Sequence, residues 1–179
     1  MSLRIPVGPG DHAQGSLRAP VVLVEYGDYQ CPACGEAAPL VKALQQRFGD
    51  ALCLVFRNFP LGEVHPEAPA AAITAEFAGR HGRFWDAHDL LYANQDALGD
   101  ALYAELVQSL GLSLDGLREA LQGGPEADRV EADFEGGVRS GVNGTPCFFI
   151  NGTRFEPQAS FQELFDAIGG LLGVGATAR

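Results

Sequence analysis

Positive charge is scarce in this sequence. Lys and Arg account for 12 of its 179 residues, against 23 Asp and Glu, and the formal net charge is −11. Lys42 is the single lysine. No basic cluster is present that could neutralise a run of phosphates, so we expect no nucleic-acid partner. The acidic balance is expected to favour solubility.

Long apolar runs are also missing. No stretch approaches the ~20 residues of a membrane span, and the first ten residues lack the apolar core of a secretory signal. The sequence therefore indicates a cytoplasmic protein, or a periplasmic or other extracytoplasmic one from which a signal peptide has been removed. Because 46% of the residues are hydrophobic, we expect one folded monomeric domain with a substantial core.

Cysteine is sparse and unevenly placed, with Cys31, Cys34, Cys53 and Cys147 as its four positions. A disulfide scaffold would be denser and its chain shorter. A structural zinc site usually needs a second ligand pair at close spacing, and none follows. We therefore expect no metal, and the absence of a glycine-rich phosphate-binding motif indicates no nucleotide or flavin cofactor.

The first third of the chain has the pattern of a βαβ unit. After an irregular lead-in to Pro20, the apolar runs Val21–Tyr26 and Ala51–Phe59 predict two buried strands. Between them, apolar residues recur at helical spacing over Pro32–Phe48, and Gly49 ends that helix. Two strands joined by a helix predict a parallel pair.

The remainder predicts a block of helices followed by a hairpin and a final helix. Periodicity and glycine breaks predict helices over residues 66–79, 84–92, 100–110, 114–121 and 126–140. Strands are then predicted at Cys147–Ile150 and Thr153–Glu156, joined by the two-residue turn Asn151-Gly152. Ser160 is predicted to cap the last amphipathic helix. The order is βαβ, a helical block, then αββα.

The stretch C-P-A-C carries the chemistry. Pro32 is favoured at the first helical position, which puts Cys31 at the N-cap and Cys34 one turn away on the same face, at ~5–6 Å between Cβ atoms. Unpaired N–H groups and the helix dipole favour a thiolate at Cys31, with a pKa below the usual value of about 8.5. This spacing favours a redox pair, while an inert pair and half of a zinc site are the alternatives.

Two further features accompany the pair. Glu25 ends an otherwise apolar strand, so its carboxyl is either partly desolvated, with a raised pKa and a part in moving the Cys34 proton, or an exposed strand-end charge. Pro146 begins a strand after Thr145, which makes their peptide bond a candidate cis bond, with an ordinary trans proline as the alternative.

Together these features resemble a known family. The stretches V-E-Y-G-D-Y-Q-C-P-A-C, F-R-N-F-P-L, F-W-D-A-H-D-L-L and G-V-N-G-T-P-C-F-F-I-N-G resemble the bacterial DsbA-like thiol–disulfide oxidoreductases. The resemblance implies an α/β, thioredoxin-like fold with a helical insertion. It divides the chain into a lead-in (1–20), a thioredoxin-like domain in two segments (21–61 and 125–175) and an insertion (62–124) that caps the active site.

The resemblance also implies a role for each site residue. Cys31 would be the nucleophile and Cys34 the resolving thiol. The redox-active disulfide between them would carry the reaction, and no cofactor would be needed. Glu25 would be the buried acid that relays a proton. Pro146 would be the cis-proline facing the pair, and Thr145 would offer its backbone to an extended substrate segment.

Two details depart from the family pattern. The dipeptide Pro32-Ala33 lacks the histidine that helps to stabilise the thiolate in strongly oxidising members, so we do not expect a very oxidising potential. Cys147 directly follows Pro146 and is a candidate redox modulator that forms an alternative disulfide with the pair. Its alternative role is that of a small packed residue.

The predicted activity is thiol–disulfide exchange with protein or peptide thiols, with a redox partner protein or glutathione as the second substrate. Two other functions stay open. One is a redox-sensing or docking module of the same fold, which would change its own state without turnover. The other is a glutathione-dependent enzyme acting on small molecules, which would have no need of a second thiol.

Overall fold

The computed structural model describes residues 1–155 and 160–174. Glu156, at the end of the predicted last strand, and residue 175, at the end of the second predicted thioredoxin-like segment, lie outside the described residues. The domain boundaries stay a prediction.

A mixed β-sheet forms the centre of the fold. Within the described residues it has five strands in the order β1-β3-β2-β4-β5. They are β1 (His12–Gln14), β2 (Val21–Gly27), β3 (Leu52–Asn58), β4 (Cys147–Ile150) and β5 (Thr153–Phe155). Strands β2 and β3 are parallel, and the other three pairings are antiparallel. The parallel pair and the terminal hairpin of the prediction are confirmed.

The expectation of an irregular lead-in up to Pro20 is wrong for His12–Gln14, which form strand β1. His12 pairs with Phe56 and Gln14 with Leu54, so β1 forms an edge strand on β3. It has three residues and no apolar alternation, and its strand geometry comes from pairing with a strand distant in sequence. Local pattern alone gives no signal for such an edge.

Helix α1 (Pro32–Phe48) connects β2 to β3 with the predicted bounds. Pro32 starts it because its fixed φ suits the first turn and its missing N–H is not needed there. Gly49 ends it with φ 51°, a left-handed conformation that costs glycine little.

The predicted helical block is present. It consists of α2 (Ala68–Arg80), α3 (Phe84–Ala93), α4 (Asp100–Ser109), α5 (Leu114–Leu121) and α6 (Pro125–Arg139). Its apolar core takes in Tyr29 and Phe56, which come from the loop after β2 and from β3. The block therefore packs directly against the segment that precedes Cys31.

Helices cover the sheet on both faces. On one face, α1 and α7 (Phe161–Leu171) pack on the inward side chains of β2, β3 and β4. On the other face, the N-terminal segment and α6 pack on the alternate side chains. Ser160 is the N-cap of α7 as predicted, but its side chain makes no capping hydrogen bond. The carboxyl ends of β2 and β3 and the start of β4 meet near the first turn of α1.

Candidate active site

Cys31 lies at the N-cap of α1. Its backbone is extended (φ −68°, ψ 120°), Pro32 occupies the first turn, and the N–H of Gly35 donates to Cys31 O at 3.1 Å. The residue is 6% exposed. Its sulfur therefore lies beside the backbone N–H groups that the first helical turn leaves without intrahelical acceptors.

Cys34 lies one turn further and is fully buried. Both cysteines are free thiols in this structure, and their side chains are hydrogen-bonded to each other. The structure thus brings the two sulfurs together in the dithiol state, in the arrangement that a C-x-x-C pair needs to form a disulfide.

The two thiols have pKa values shifted in opposite directions. A hydrogen bond from the Cys34 thiol, with further hydrogen bonds from Thr145 and from the N–H groups of Cys34 and Ala33, lowers the pKa of Cys31 to about 5 against the opposing effect of burial. Its hydrogen bond to Cys31, then burial and the nearby charge of Glu25, raise the pKa of Cys34 far above its usual range. At neutral pH, Cys31 is therefore a thiolate and Cys34 a thiol.

The Thr145–Pro146 peptide bond is cis, so the alternative of a trans proline is wrong. The loop that contains it faces the pair, because in the thiol form of Cys31 its Sγ donates to Thr145 O at 3.4 Å. In this structure Thr145 Oγ1 is buried and, within the described part of the chain, makes no hydrogen bond, so its hydroxyl can donate to the Cys31 sulfur when that sulfur is a thiolate.

Replacing Thr145 by valine should raise the pKa of Cys31 by about half a unit to one unit. Valine keeps the shape of the side chain but removes a hydroxyl whose hydrogen bond stabilises the thiolate. The thiolate absorbance near 240 nm, followed against pH, measures the shift. Thr153→Val, on the exposed end of β5, is the matched control, and an equal midpoint in both variants would contradict the prediction.

Glu25 lies inside β2 and not at an exposed strand end. It is 2% exposed, so the exposed-charge alternative is wrong. Its Oε1 atom has no hydrogen-bond partner within the described residues, and burial raises the pKa of its carboxyl to about 8. A carboxyl that titrates near neutral pH beside a buried thiol has the properties required for proton transfer.

A cleft between α1 and α3 reaches Glu25. It has a volume of about 330 Å³, and Lys42 and Asp89, which form a 2.7 Å ion pair, line it together with Gln45 and His88. The buried carboxyl is thus adjacent to a space large enough to hold water.

Cys147 is buried in the core cluster on the face of the sheet opposite α1. Cys147 and Phe149 pack with Val142 on the face of the sheet opposite α1, whereas the intervening Phe148 packs with Ala37 of α1. Successive side chains of a strand point to opposite faces, so the Cys147 side chain lies on the face opposite to that of Phe148. This placement favours the packed-residue role.

Sequence reasoning missed Asp28 as a site residue. Its buried carboxylate accepts hydrogen bonds from the N–H groups of Gln30 (2.8 Å) and Cys31 (3.1 Å). An aspartate side chain that accepts backbone N–H groups a few residues further on forms an Asx turn, a common local arrangement, so the signal was present in D-Y-Q-C.

Gln95, in the short 3₁₀ turn after α3, was also missed. Its amide nitrogen donates to Tyr29 O at 2.9 Å and to Cys31 O at 2.8 Å. It reaches them across Gly35, where a Cβ would lie 2.3 Å from Gln95 Oε1. No local pattern predicts this contact, because the two segments are about 60 residues apart.

Gln95→Ala should lower the free energy of unfolding by about 1–2 kcal/mol, since two hydrogen bonds to backbone carbonyls are lost. Urea unfolding of the reduced protein measures it. Gln46→Ala, on the exposed side of α1, should stay within about 0.5 kcal/mol of wild type. Equal stability of Gln95→Ala and wild type would show that the contact contributes nothing.

The described residues contain no group of three or more His, Cys, Asp or Glu arranged to hold a metal ion. In residues 1–155 and 160–174, no helix combines the length and apolar character that crossing a membrane requires.

Comparison with known proteins identifies the family of this chain. The family model described as thioredoxin matches residues 8–169. Among curated proteins, the chain is 43% identical over 169 residues to the Na(+)/H(+) antiporter NhaA 1 of Salinispora arenicola, a match covering 94% of this chain and 26% of that protein. A Mycobacterium protein of the same name is 36% identical over 159 residues, covering 87% of this chain and 26% of its own length. The chain thus spans about a quarter of the length of these relatives.

Solved structures agree in fold. BdbD from Bacillus subtilis, in its oxidised form, superposes with a TM-score of 0.80 at 26% identity, covering 92% of this chain and 94% of BdbD. Wolbachia pipientis α-DsbA1 gives 0.81 at 19% identity, covering 96% and 94%, and Pseudomonas aeruginosa DsbA2 gives 0.73 at 24% identity, covering 93% and 97%. The chain belongs to the thioredoxin family, and its fold is that of BdbD and the DsbA structures.

Proposed function

We propose that this protein exchanges disulfides with protein or peptide thiols through Cys31 and Cys34. The observation that carries the proposal is the placement of the pair, with Cys31 at the N-cap of α1 and Cys34 buried one turn further on. This placement lowers the pKa of the Cys31 thiol and raises that of the Cys34 thiol. A nucleophile must be ionised to attack, and a resolving thiol must stay protonated until the mixed disulfide forms.

The reaction balances within the pair and its substrate. The Cys31 thiolate attacks one sulfur of a substrate disulfide, so a Cys31–substrate bond forms and a substrate thiolate leaves and is protonated. Cys34 then loses its proton and attacks Cys31 Sγ, which forms the Cys31–Cys34 disulfide and releases the second substrate thiolate. The reverse sequence oxidises a substrate dithiol.

Glu25 is proposed as the proton relay for Cys34. Its charge acts on Cys34, its carboxyl has a pKa of about 8, and the cleft beside it can hold water that exchanges protons with solvent. Ionised Glu25 would accept the proton of the Cys34 thiol. Protonated Glu25 would carry no charge and so would no longer disfavour a thiolate at Cys34.

Substrate binding is proposed at Thr145 and Pro146. An apolar groove begins at Pro146 and Ala33 and continues along Leu40 and Phe161, between α1 and α7. An extended peptide that pairs with the backbone at Thr145 would lay alternate side chains into this groove. Leu40 is 40% exposed, which leaves apolar surface there for a partner to cover.

The reduction potential of the pair depends on the stability of the Cys31 thiolate. A lowered pKa at Cys31 stabilises the dithiol and makes the disulfide more oxidising. With a pKa of about 5 and no histidine in the dipeptide, we propose a potential roughly between those of thioredoxin and DsbA, about −270 to −120 mV. A titration against glutathione buffers tests it.

A turnover assay tests the function itself. The protein should accelerate reduction of insulin by a thiol reductant, or oxidation of a reduced unfolded protein, at catalytic amounts. The second candidate is a redox-sensing module. It is favoured by the match to curated proteins that are named antiporters and of whose length this chain covers only about a quarter. A module would change its own redox state without turnover. Ion transport is not proposed for this chain, because the family model that matches it is that of thioredoxin.

We also propose an extracytoplasmic compartment, because disulfides persist in oxidising surroundings and are reduced in most cytosols. The cytoplasmic expectation has no support from the DsbA relationship. Fractionation of the native cells, followed by detection of the protein, distinguishes the two.

A further inference from the structure

The Asp28 carboxylate is a fully buried charge that holds two separate segments. Oδ1 accepts the N–H groups of Gln30 and Cys31, at 2.8 and 3.1 Å. Oδ2 accepts the N–H of Leu61 at 2.9 Å and is 2.8 Å from His65 Nδ1. One oxygen therefore faces the turn that carries the nucleophile, and the other faces the loop that leads into the helical block.

Asp28 also contacts the second thiol through its backbone. Its N–H forms a hydrogen bond with the Cys34 sulfur. The two segments are further joined by the Gln30 side chain, which accepts the N–H of Glu67 at 2.7 Å. The geometry of both sulfurs thus depends on how residue 28 is held.

Among the four donors to this carboxylate, three are backbone N–H groups and the fourth is the side chain of His65. The His65 side chain is 20% exposed, whereas that of Asp28 is 0% exposed. A buried carboxylate that loses a donor leaves part of its charge uncompensated. Uncompensated charge on Asp28 would disfavour a thiolate at Cys31, the residue whose backbone N–H binds the other oxygen.

We propose that His65 is a positioning residue for thiol exchange, which acts through Asp28 on the backbone and the ionisation of Cys31. The inference rests on the proposed function. His65 supplies the donor that compensates the Asp28 charge, and so permits a second negative charge on the adjacent sulfur. It also couples the entry loop of the helical block to the nucleophile.

A merely structural role would look different. If His65 only anchored the loop of residues 61–66, its loss would lower the free energy of unfolding and leave the ionisation of Cys31 unchanged. The decisive readout is therefore the pKa of Cys31, measured on the reduced full-length protein by thiolate absorbance and by the rate of iodoacetamide alkylation.

The variants are His65→Ala, His65→Asn and His81→Ala. Asparagine places an N–H donor where Nδ1 of histidine stands, and His81 is an exposed histidine outside the contact. We expect His65→Ala to raise the pKa of Cys31 by about one unit, which lowers alkylation at pH 5 about fivefold. His65→Asn should return the rate to within about twofold of wild type, and His81→Ala should leave it unchanged.

Two results would overturn the inference. One is a wild-type pKa and alkylation rate in His65→Ala; the other is His65→Asn behaving like His65→Ala. Because neither readout uses a disulfide substrate, they are independent of turnover. A wild-type protein without exchange activity would defeat the proposed function, and the coupling of His65 to Cys31 would still be decided.

Discussion

Cys31→Ser should reduce disulfide exchange to the uncatalysed rate. A serine hydroxyl is not ionised near neutral pH, so the thiolate with a pKa of about 5 at the start of α1 is lost. Nothing else in the site replaces it, because Cys34 is buried and protonated. Insulin reduction and oxidation of a reduced protein both measure the loss.

Cys34→Ser should instead keep the first step and remove the second. The thiolate at Cys31 would still attack, although its pKa would rise because the Cys34 thiol no longer donates to it. Mixed disulfides with substrate would accumulate and be visible on non-reducing gels and by mass spectrometry. Cys53→Ala, at the second residue of β3, is the matched control. Full activity of Cys31→Ser would contradict the assignment of roles.

Glu25→Gln should be more stable than wild type above pH 8. The difference in free energy of unfolding between the two proteins should be about 3–5 kcal/mol larger there than at pH 4. The carboxyl has a pKa of about 8 when folded and about 4.3 in the unfolded chain. Between these values the folded state holds a proton that the unfolded state has released, so wild-type stability falls as pH rises through this window. Glutamine has no charge to desolvate and lacks this loss.

Denaturant unfolding of the reduced proteins at pH 4, 6 and 9 measures the effect. Glu119→Gln, an exposed carboxylate of α5, should follow wild type at each pH. The relay predicts in addition that Glu25→Gln lengthens the lifetime of mixed disulfides, by about a hundredfold. A constant stability difference between wild type and Glu25→Gln from pH 4 to 9 would show that Glu25 ionises normally.

The features that the sequence predicted best are those set by neighbouring residues. Pro32 and Gly49 fixed the predicted bounds of α1, and its N-cap placed Cys31, because proline and glycine have conformational preferences that need no partner. Apolar runs without alternation predicted β2 and β3 for a similar reason, since a strand covered on both faces is apolar throughout.

What the sequence could not supply depends on contacts between distant segments. Strand β1 forms by pairing with β3, and Gln95 reaches the active-site turn from about 60 residues away. The hydrogen bond between Asp28 and His65 spans 37 residues. The part that Cys147 plays stays a prediction, since its position after Pro146 does not by itself say which face of the sheet its side chain lies on.

Titration of the Cys31 thiol is the most direct test of the whole account. We predict that the rate of alkylation of Cys31 in the reduced protein, measured against pH, has its midpoint near pH 5, in keeping with a thiolate stabilised by Cys34, Thr145 and the first-turn N–H groups. A midpoint at about 8.5, the value of an ordinary free cysteine, would contradict it.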